Sequence, residues 1–255
     1  MYHFFVPQGP DPEGIIRMTG SDVNHLRNVL RRRPGDRVVI SDGTDRDYYC
    51  VIREIRPDEI LFAVDGEAAE SELPARLVLY QGLPKGDKME LIIQKAVELG
   101  ASRIVAVSMK RSVVKLDPRK QEAKRNRWNR IAESAAKQSG RGMIPQVDGV
   151  MTYPEALREA AGMDLVLVPY ENAQGMRGTR EALSLLAPGQ TAAIFIGPEG
   201  GFDPEEIAAA KAIGARTISL GRRILRTETA GLAALTLCMV RLENAYEEMV
   251  SGKQE

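Results

Sequence analysis

The sequence is 255 residues long and carries 35 basic (Lys and Arg) and 35 acidic (Asp and Glu) side chains, so its formal net charge is zero. This length allows one large domain or two modest ones, and a neutral chain can bind nucleic acid only through a local basic patch. The two cysteines, Cys50 and Cys238, form no CxxC pair and only two histidines are present, so no metal site is expected.

No segment of the sequence predicts insertion into a membrane. The start, MYHFFVPQGPDPEG, lacks the basic stretch and the long apolar run of a signal peptide. The longest nearly uncharged apolar run, Thr229–Val240, is too short to span a bilayer and is more typical of a buried helix. We therefore expect a soluble cytoplasmic protein.

The first 70 residues are predicted to form a small β-barrel with one helix. Short segments rich in β-branched and aromatic residues alternate there with turn-forming residues. The helix is expected to begin with Ser21 as its N-cap. Its expected apolar face, from the spacing, comprises Val23, Leu26, Val29 and Leu30. The predicted strands are Tyr2–Val6, Ile15–Met18, Arg37–Ser41, Tyr48–Ile55 and Glu59–Val64.

An acidic segment poor in apolar residues, Gly66–Pro74, is the predicted boundary between two domains, 1–70 and 74–250. After it, apolar runs alternate with helical patterns, which predicts an α/β fold with a parallel sheet covered by helices. The predicted strands are Arg76–Tyr80, Arg103–Val107, Leu165–Val168, Ala192–Ile196 and Thr217–Leu220. The predicted helices are Lys88–Leu99, Gln121–Gln138, Pro154–Ala161, Arg180–Leu186, Pro204–Ile213 and Thr227–Met249.

The segment IFIGPEGGFD, Ile194–Asp203, joins a predicted strand to a predicted helix through several glycines. Asp203, Pro204 and Glu206 have the pattern of a helix start, with an N-cap, an N1 proline and an N3 carboxylate. Glycines at such a junction let backbone N–H groups approach a ligand, and α/β folds bind ligands at the carboxyl ends of strands. An ordinary tight turn is the alternative, but three glycines and a proline in five residues exceed its needs, which favours a site.

A second candidate segment is LGRRILRTETA, Leu220–Ala230, which leads from a strand through a loop into the last helix. The apolar loop residues Ile224 and Leu225 are expected either to cover a ligand or to plug the core beneath the loop. The loop arginines suit a phosphate or a carboxylate, although a solvated face is the alternative interpretation. These arginines are Arg222, Arg223 and Arg226.

Several enzyme classes are disfavoured because their motifs are missing from the sequence. There is no GxGxxG after the first strand of the α/β region, no P-loop, no GxSxG elbow and no HExxH. This argues against a nicotinamide enzyme, a P-loop NTPase, a serine hydrolase and a zinc hydrolase. The strand Leu165–Val168, which leads to Pro169, indicates by itself only a strand end.

Two basic clusters indicate an RNA partner. Basic residues far outnumber acidic ones between Lys110 and Arg141, and a second cluster runs from Arg27 to Arg37. Such clusters attract phosphate, although a charge run is usually only a solvated helix face. The candidate RNA-binding residues are His25, Arg27, Arg31, Lys110, Arg111, Lys115, Arg127, Arg130, Lys137 and Arg141.

The two late segments, GPEGGFDPEE from Gly197 and LGRRILRTETA from Leu220, resemble the signature segments of the RsmE family within the SPOUT class of methyltransferases. Other parts of the chain are similar to the same family, so the resemblance covers nearly the whole sequence. They are YHFFV at Tyr2–Val6, HLRNVLRRRPGD at His25–Asp36, LPKGDKMELIIQKAVELGASRIVAV at Leu83–Val107 and RWNRIAESAAKQSGR at Arg127–Arg141.

The resemblance implies an activity and a fold. Members of the family use S-adenosylmethionine to methylate N3 of a uridine in 16S ribosomal RNA of the small subunit, and they act as homodimers. Their N-terminal domain is a PUA-like β-barrel that assists RNA binding. It is followed by an α/β SPOUT methyltransferase domain with a C-terminal trefoil knot. A knot is an exception to the rule that chains do not thread loops.

The resemblance also implies which residues hold the methyl donor, and from their position beside the expected pocket we hypothesise which residues act on the base. Adenine is expected against Leu220, Ile224 and Leu225. Arg226 is the expected catalytic cation, because a guanidinium stabilises negative charge that develops on the base. Glu199 and Glu228 are expected to accept a proton or to orient Arg226. The full set of expected donor-binding residues is Pro169, Gly197, Pro198, Glu199, Gly200, Gly201, Leu220, Gly221, Ile224, Leu225, Thr229 and Ala230.

Two other functions stay open at this point. A non-catalytic RNA-binding or ribosome assembly factor would keep the barrel and the basic clusters, but it would not need the two late segments. A small-molecule α/β enzyme would not need the basic clusters. Binding of S-adenosylmethionine separates the first alternative from a methyltransferase, and steep salt dependence of RNA binding separates the second.

Overall fold

The computed structural model describes residues 1–44, 46–68, 71–114, 116–173 and 175–251. The chain forms two compact units. The first comprises Met1–Glu72 together with Ala136–Ile144, and the second comprises Leu73–Ala135 together with Pro145–Glu255. A short segment from the middle of the sequence therefore belongs to the N-terminal unit.

The first unit contains a five-stranded sheet in the order β1-β3-β4-β5-β2. Strand β1 runs parallel to β3, and the other neighbouring strands are antiparallel. The edge strands β1 and β2 do not pair with each other in the described part of the chain, so the expected barrel is in fact a curled, open half-barrel. The strands are β1 (His3–Phe5), β2 (Ile15–Thr19), β3 (Arg37–Ser41), β4 (Asp47–Ile55) and β5 (Glu59–Glu67).

The helix of the first unit differs from its prediction. It begins as α1 (Ser21–Asn24) and widens into a π-helical turn, His25–Val29. Gly20, not Ser21, occupies the N-cap position, and no side chain caps the helix. The wider turn also changes which residues face the core, so Leu26 is fully buried while Val29 is 64% exposed. The expected placement of Val29 on the apolar face was therefore wrong.

The second unit contains a six-stranded sheet in the order β11-β9-β10-β6-β7-β8, in which all neighbouring strands are parallel. This confirms the predicted parallel α/β fold. Strand β8 was missed, because it lies at an edge of the sheet and buries fully only Val147. The strands are β6 (Arg76–Gly82), β7 (Ala101–Ser108), β8 (Gln146–Thr152), β9 (Leu165–Pro169), β10 (Thr191–Ile196) and β11 (Arg216–Ile218).

The helices of the second unit lie close to their predicted positions. The start of α6 confirms the predicted capping box, since the Asp203 carboxylate accepts from the backbone N–H of Glu205 and the Glu206 side chain accepts from the N–H of Asp203. Among the described residues, no helix is long and apolar enough to cross a bilayer. The helices are α2 (Lys88–Glu98), α3 (Pro118–Ser139), α4 (Tyr153–Ala160), α5 (Arg177–Leu183), α6 (Pro204–Ala212) and α7 (Thr227–Ser251).

Aromatic packing anchors the core on one face of the second sheet. Tyr80 of β6 stacks on Phe195 of β10 with 4.5 Å between ring centroids, and Tyr153 meets Phe195 edge-on at 5.7 Å. These rings are almost fully buried, and aromatic pairs in such geometries stabilise a core beyond their area alone. The central strands are thereby held rigidly, and the loops that follow them start from fixed positions.

Candidate functional site

A cavity of about 550 Å³ lies at the carboxyl ends of three adjacent strands of the second unit. Strands β11, β9 and β10 are neighbours in the sheet, so the loops that follow them meet at one edge. The loops contribute Pro169 at the end of β9, Gly197–Gly201 after β10, and Leu220–Arg226 between β11 and α7. Segments more than 50 residues apart in the sequence therefore share one site.

Most residues expected to bind the donor lie around this cavity. Gly200 and Leu225, from different loops, both line it. Thr229 and Glu228 are not among the lining residues. The expected residues that do line the cavity are Pro169, Gly197, Pro198, Glu199, Gly200, Gly201, Leu220, Gly221, Ile224, Leu225, Arg226 and Ala230.

The glycine-rich turn after β10 is packed too closely for side chains. The Gly201 N–H donates to the Pro198 carbonyl at 2.9 Å, and Gly201 has a φ of +68°, which favours glycine. A Cβ on Gly197 would lie 3.1 Å from the Gly201 carbonyl carbon, and a Cβ on Gly200 would lie 3.0 Å from Arg111 Cβ. The backbone of the turn is therefore the surface that a ligand would meet.

A lysine between two carboxylates lines the same cavity. Lys88 Nζ lies 3.1 Å from Glu199 Oε1 and 3.3 Å from Glu228 Oε2. The Glu199 carboxylate also accepts from the backbone N–H of Lys85 at 3.0 Å. The sequence did not predict a role for Lys88 at the site, because its acidic partners lie more than 100 residues away and no local pattern indicates them.

Hydrogen bonds within this cluster favour the charged forms of Lys88 and Glu199. The hydrogen bond to Glu199 raises the pKa of Lys88, against the opposing effect of burial. Burial acts to raise the pKa of Glu199, but hydrogen bonds from the Lys85 N–H and from Lys88 outweigh it and lower that pKa. Glu199 is thus a charged carboxylate and a poor proton acceptor near neutral pH, so the geometry favours a role in holding Lys88.

The arginine loop presents its side chains to solvent at the cavity. Arg226 lines the cavity and is exposed, and its backbone carbonyl accepts from the Ala230 N–H at 2.8 Å. Ile224 is 89% exposed, so it does not plug the core beneath the loop, whereas Leu225 is half-buried. Glu199 and Glu228 both pair with Lys88, and no described ion pair joins either of them to Arg226.

The basic residues expected to bind RNA fall into exposed and paired groups. His25, Arg27 and Arg31 are exposed in the first unit, and Arg130 is exposed on α3 in the second. Lys115 lies outside the described residues. Three further residues are exposed but have acidic partners in the second unit: Lys110 with Asp203 and Glu205, Arg111 with Asp203, and Arg127 with Glu90.

Arg141 has a structural role in place of the expected RNA contact. It is 4% exposed, and its Nε donates to the Glu72 carboxylate at 3.0 Å within the first unit. Glu72 also accepts from the Met143 N–H. A guanidinium buried in this way cannot reach a phosphate. Lys137 is half-buried, with Nζ 2.9 Å from Asp22.

Loops that converge at the carboxyl ends of parallel strands, around a cavity of this size, define an α/β protein that binds a small ligand. A family model described as an RNA methyltransferase domain matches residues 71–239, and one described as an RNA methyltransferase PUA domain matches residues 18–65. The chain belongs to this RNA methyltransferase family, together with the proteins named ribosomal RNA small subunit methyltransferase E.

Individual relatives resemble the chain over nearly its full length. The ribosomal RNA small subunit methyltransferase E of Bacillus subtilis is 37% identical over 230 residues, which cover 89% of this chain and 90% of the relative. That of Mycobacterium bovis is 33% identical over 91% of this chain and 88% of the relative. The crystal structure of the Neisseria gonorrhoeae protein, bound to S-adenosylmethionine, is 30% identical and covers 94% of this chain and 97% of its own, with a TM-score of 0.80.

Proposed function

We propose that this protein transfers the methyl group of S-adenosylmethionine to N3 of a uridine in 16S ribosomal RNA of the small subunit. The observation that carries the proposal is that two segments line one cavity in a chain of the RNA methyltransferase family. They are the GPEGG turn, Gly197–Gly201, and the arginine loop, Leu220–Arg226. The donor bound by the Neisseria relative supports the choice of ligand. The resemblance of the two late segments to the RsmE family supports the choice of uridine N3.

The cavity suits a donor of this kind. Its volume of about 550 Å³ falls in the range of small-molecule sites. Two carboxylates, Glu171 and Glu199, line it together with basic side chains, so it offers partners of both charges to a zwitterionic donor. The basic side chains are Lys88, Arg222, Arg223 and Arg226. We assign the adenine to Leu220, Ile224 and Leu225, and the remainder of the donor to the backbone of the GPEGG turn. When bound, the donor supplies an electrophilic methyl group.

Arg226 is assigned the role of stabilising the base as it reacts. Uracil N3–H is a weak acid, and loss of its proton to solvent places negative charge on N3, O2 and O4. N3 then takes the methyl group as the sulfur–methyl bond breaks, and the donor leaves as a neutral thioether. A guanidinium at the cavity lowers the energy of that charge and holds the base in line for transfer. The exposure of Arg226 supports this role, because an incoming base can reach it. Glu199 and Glu228 are assigned to holding Lys88 at the cavity wall.

RNA is proposed to contact exposed basic residues of both units. The first unit offers His25, Arg27 and Arg31, and the second offers Arg130 and three residues in exposed ion pairs, Lys110, Arg111 and Arg127. Exposed ion pairs contribute only about 0–1 kcal/mol, so phosphate can displace the carboxylate partners at low cost.

We infer four further properties. The composition of Gly66–Pro74 gives domain limits at 1–70 and 74–250, and the resemblance implies a C-terminal trefoil knot and a homodimeric state. The fourth property is a cytoplasmic location. An exposed apolar face on α7 supports the homodimer, since Tyr246, Met249 and Val250 are spaced i, i+3 and i+4 and are 41%, 42% and 40% exposed. A ribosomal RNA substrate supports the location.

The test is methyl transfer from labelled S-adenosylmethionine to small ribosomal subunits isolated from a strain that lacks this protein. We expect label in 16S RNA, and nuclease digestion should release it as 3-methyluridine. Subunits from the parent strain, already modified, should take up none. Label in another nucleoside would contradict the proposed specificity, and a protein that binds no donor in calorimetry would contradict the proposed function altogether.

A further inference from the structure

We propose that Gln81 and Thr227 form a buried junction that fixes the two cavity loops against each other and thereby sets donor affinity. Gln81 is a positioning residue, because it lies outside the cavity lining, whereas Thr227 lines the cavity and also joins its loops. The inference rests on the proposed function, since it assumes that the donor occupies the cavity. Gln81 lies near the end of β6, and Thr227 is the first residue of α7.

A chain of hydrogen bonds connects three segments through this junction. Thr227 Oγ1 donates to the Gly197 carbonyl at 2.6 Å, so the start of α7 is tied to the first residue of the GPEGG turn. Gln81 Nε2 donates to Thr227 Oγ1 at 2.8 Å and to the Gly82 carbonyl at 3.0 Å. Since both carbonyls are acceptors only, the direction of every bond in the chain is determined.

The junction is buried, so these bonds are protected from competition with water. Gln81 is fully buried and Thr227 is 5% exposed. A buried carbonyl that loses its donor costs more free energy than the hydrogen bond itself contributes. The Gly197 carbonyl is therefore strongly restrained, and with it the peptide plane that leads into Pro198.

The segments around the junction are closely packed. A Cβ on Gly82 would lie 2.7 Å from the Pro198 ring, so the end of β6 presses directly on the GPEGG turn. A Cβ on Gly231 would lie 3.4 Å from Gln81 Oε1, so the second turn of α7 packs against the buried amide. The hydrogen bonds and this packing thus hold the two loops that line the cavity against each other.

A junction of this kind raises donor affinity, because binding then costs no free energy to order the loops. Loops that must be ordered when a ligand binds reduce its affinity, whereas loops already fixed do not. If the junction only stabilised the fold, donor affinity would be insensitive to it in any variant that remains folded. If it positions the loops, donor affinity falls even in a folded protein, and this difference is measurable.

The experiment compares Thr227→Val with Thr227→Ser in the full-length protein. Thr227→Val keeps the size of the side chain and removes the hydroxyl, while Thr227→Ser keeps the hydroxyl. A control, Ser102→Ala, removes a hydroxyl that donates to the Leu77 carbonyl at 3.0 Å near the opposite, amino end of the sheet. Calorimetry with S-adenosylmethionine gives the donor Kd of each variant, and thermal unfolding gives its Tm.

We expect Thr227→Val to raise the donor Kd about tenfold at a temperature where the variant is fully folded, and Thr227→Ser to restore it. Ser102→Ala should lower Tm without changing Kd. An unchanged Kd in Thr227→Val, or an equal rise in Ser102→Ala, overturns the inference. Gln81→Met breaks the junction at a residue outside the cavity lining, so it should also raise the donor Kd, and it serves alone if Thr227→Val fails to fold. An unchanged Kd in folded Gln81→Met overturns the inference, because the effect at Thr227 would then be a direct contact. Wild-type protein that binds no donor overturns the proposed function itself, which is a separate outcome.

Discussion

The loops that line the cavity and the basic residues assigned to RNA are stabilised in different ways. Buried hydrogen bonds to the main chain hold the loops, as between Thr227 and Gly197, and glycines let their backbones touch. Exposed ion pairs such as Arg127 with Glu90 hold many of the basic residues. Buried bonds are costly to break, whereas exposed ion pairs contribute about 0–1 kcal/mol.

This contrast separates a preformed site from an adaptable surface. If the Gln81–Thr227 junction acts as proposed, the cavity should keep its shape whether or not a donor is present. The basic side chains can exchange carboxylates for phosphates as RNA arrives. Substitutions in the loops should therefore have large effects on one step, while those in exposed basic residues should have small effects that add up across the surface.

Arg226 is the strongest challenge to this contrast, because it is exposed and yet belongs to the cavity. We expect Arg226→Ala to reduce the rate of methyl transfer about 10²–10³-fold. This is the range observed when a hydrogen-bond donor that stabilises developing negative charge is removed. The affinity for S-adenosylmethionine should remain close to that of the wild type. Single-turnover methylation and calorimetry measure the two quantities.

The matched control for Arg226 is Arg216→Ala, which removes an exposed arginine from β11, outside the cavity lining. Its rate should stay within a few-fold of the wild type if the effect at Arg226 depends on position and not on net charge. Full turnover by Arg226→Ala would refute the assigned role.

Arg141 tests the contrast from the opposite side, as a basic residue that is buried. Arg141→Met leaves the Glu72 carboxylate, 9% exposed, without its cation. Breaking a buried pair by removing one partner costs about 3 kcal/mol, so urea unfolding should show a marked loss of stability. Arg177→Met, which removes the exposed pair with Glu181, should cost less than about 1 kcal/mol. Equal losses in the two variants would contradict the structural role of Arg141.

Substitution of Gly82 tests how closely the end of β6 packs against the GPEGG turn. A Cβ there would meet the Pro198 ring at 2.7 Å and Met109 Sδ at 2.8 Å. We expect Gly82→Ala to destabilise the protein by about 1–3 kcal/mol, as overpacking does, and to weaken donor binding by displacing Pro198. Gly178→Ala is the control, since that glycine lies in α5 with open space around it. The control should raise Tm slightly, because alanine favours a helix.

The sequence was sufficient for features that depend on local chemistry. Apolar runs located the central strands, and Asp203-Pro204 with Glu206 located the start of α6 to the residue. Features that depend on distant partners were not accessible. Gln81 looks like one polar residue in a strand, and its importance comes from Thr227, 146 residues later. Burial of Arg141 likewise depends on Glu72, and a count of charges cannot distinguish it from an exposed arginine.

Arg130 provides the smallest predicted effect and the most direct test of the adaptable surface. Arg130→Gln removes one exposed cation from α3, so RNA affinity should fall only a few-fold at low salt. The slope of log Kd against log salt should decrease by about one counterion, because one phosphate contact is lost. Thermal stability and donor Kd should not change, in contrast to the variants of the loops. If the salt slope is unchanged, Arg130 does not face RNA, and the surface must lie on other basic residues such as Arg27 and Arg31.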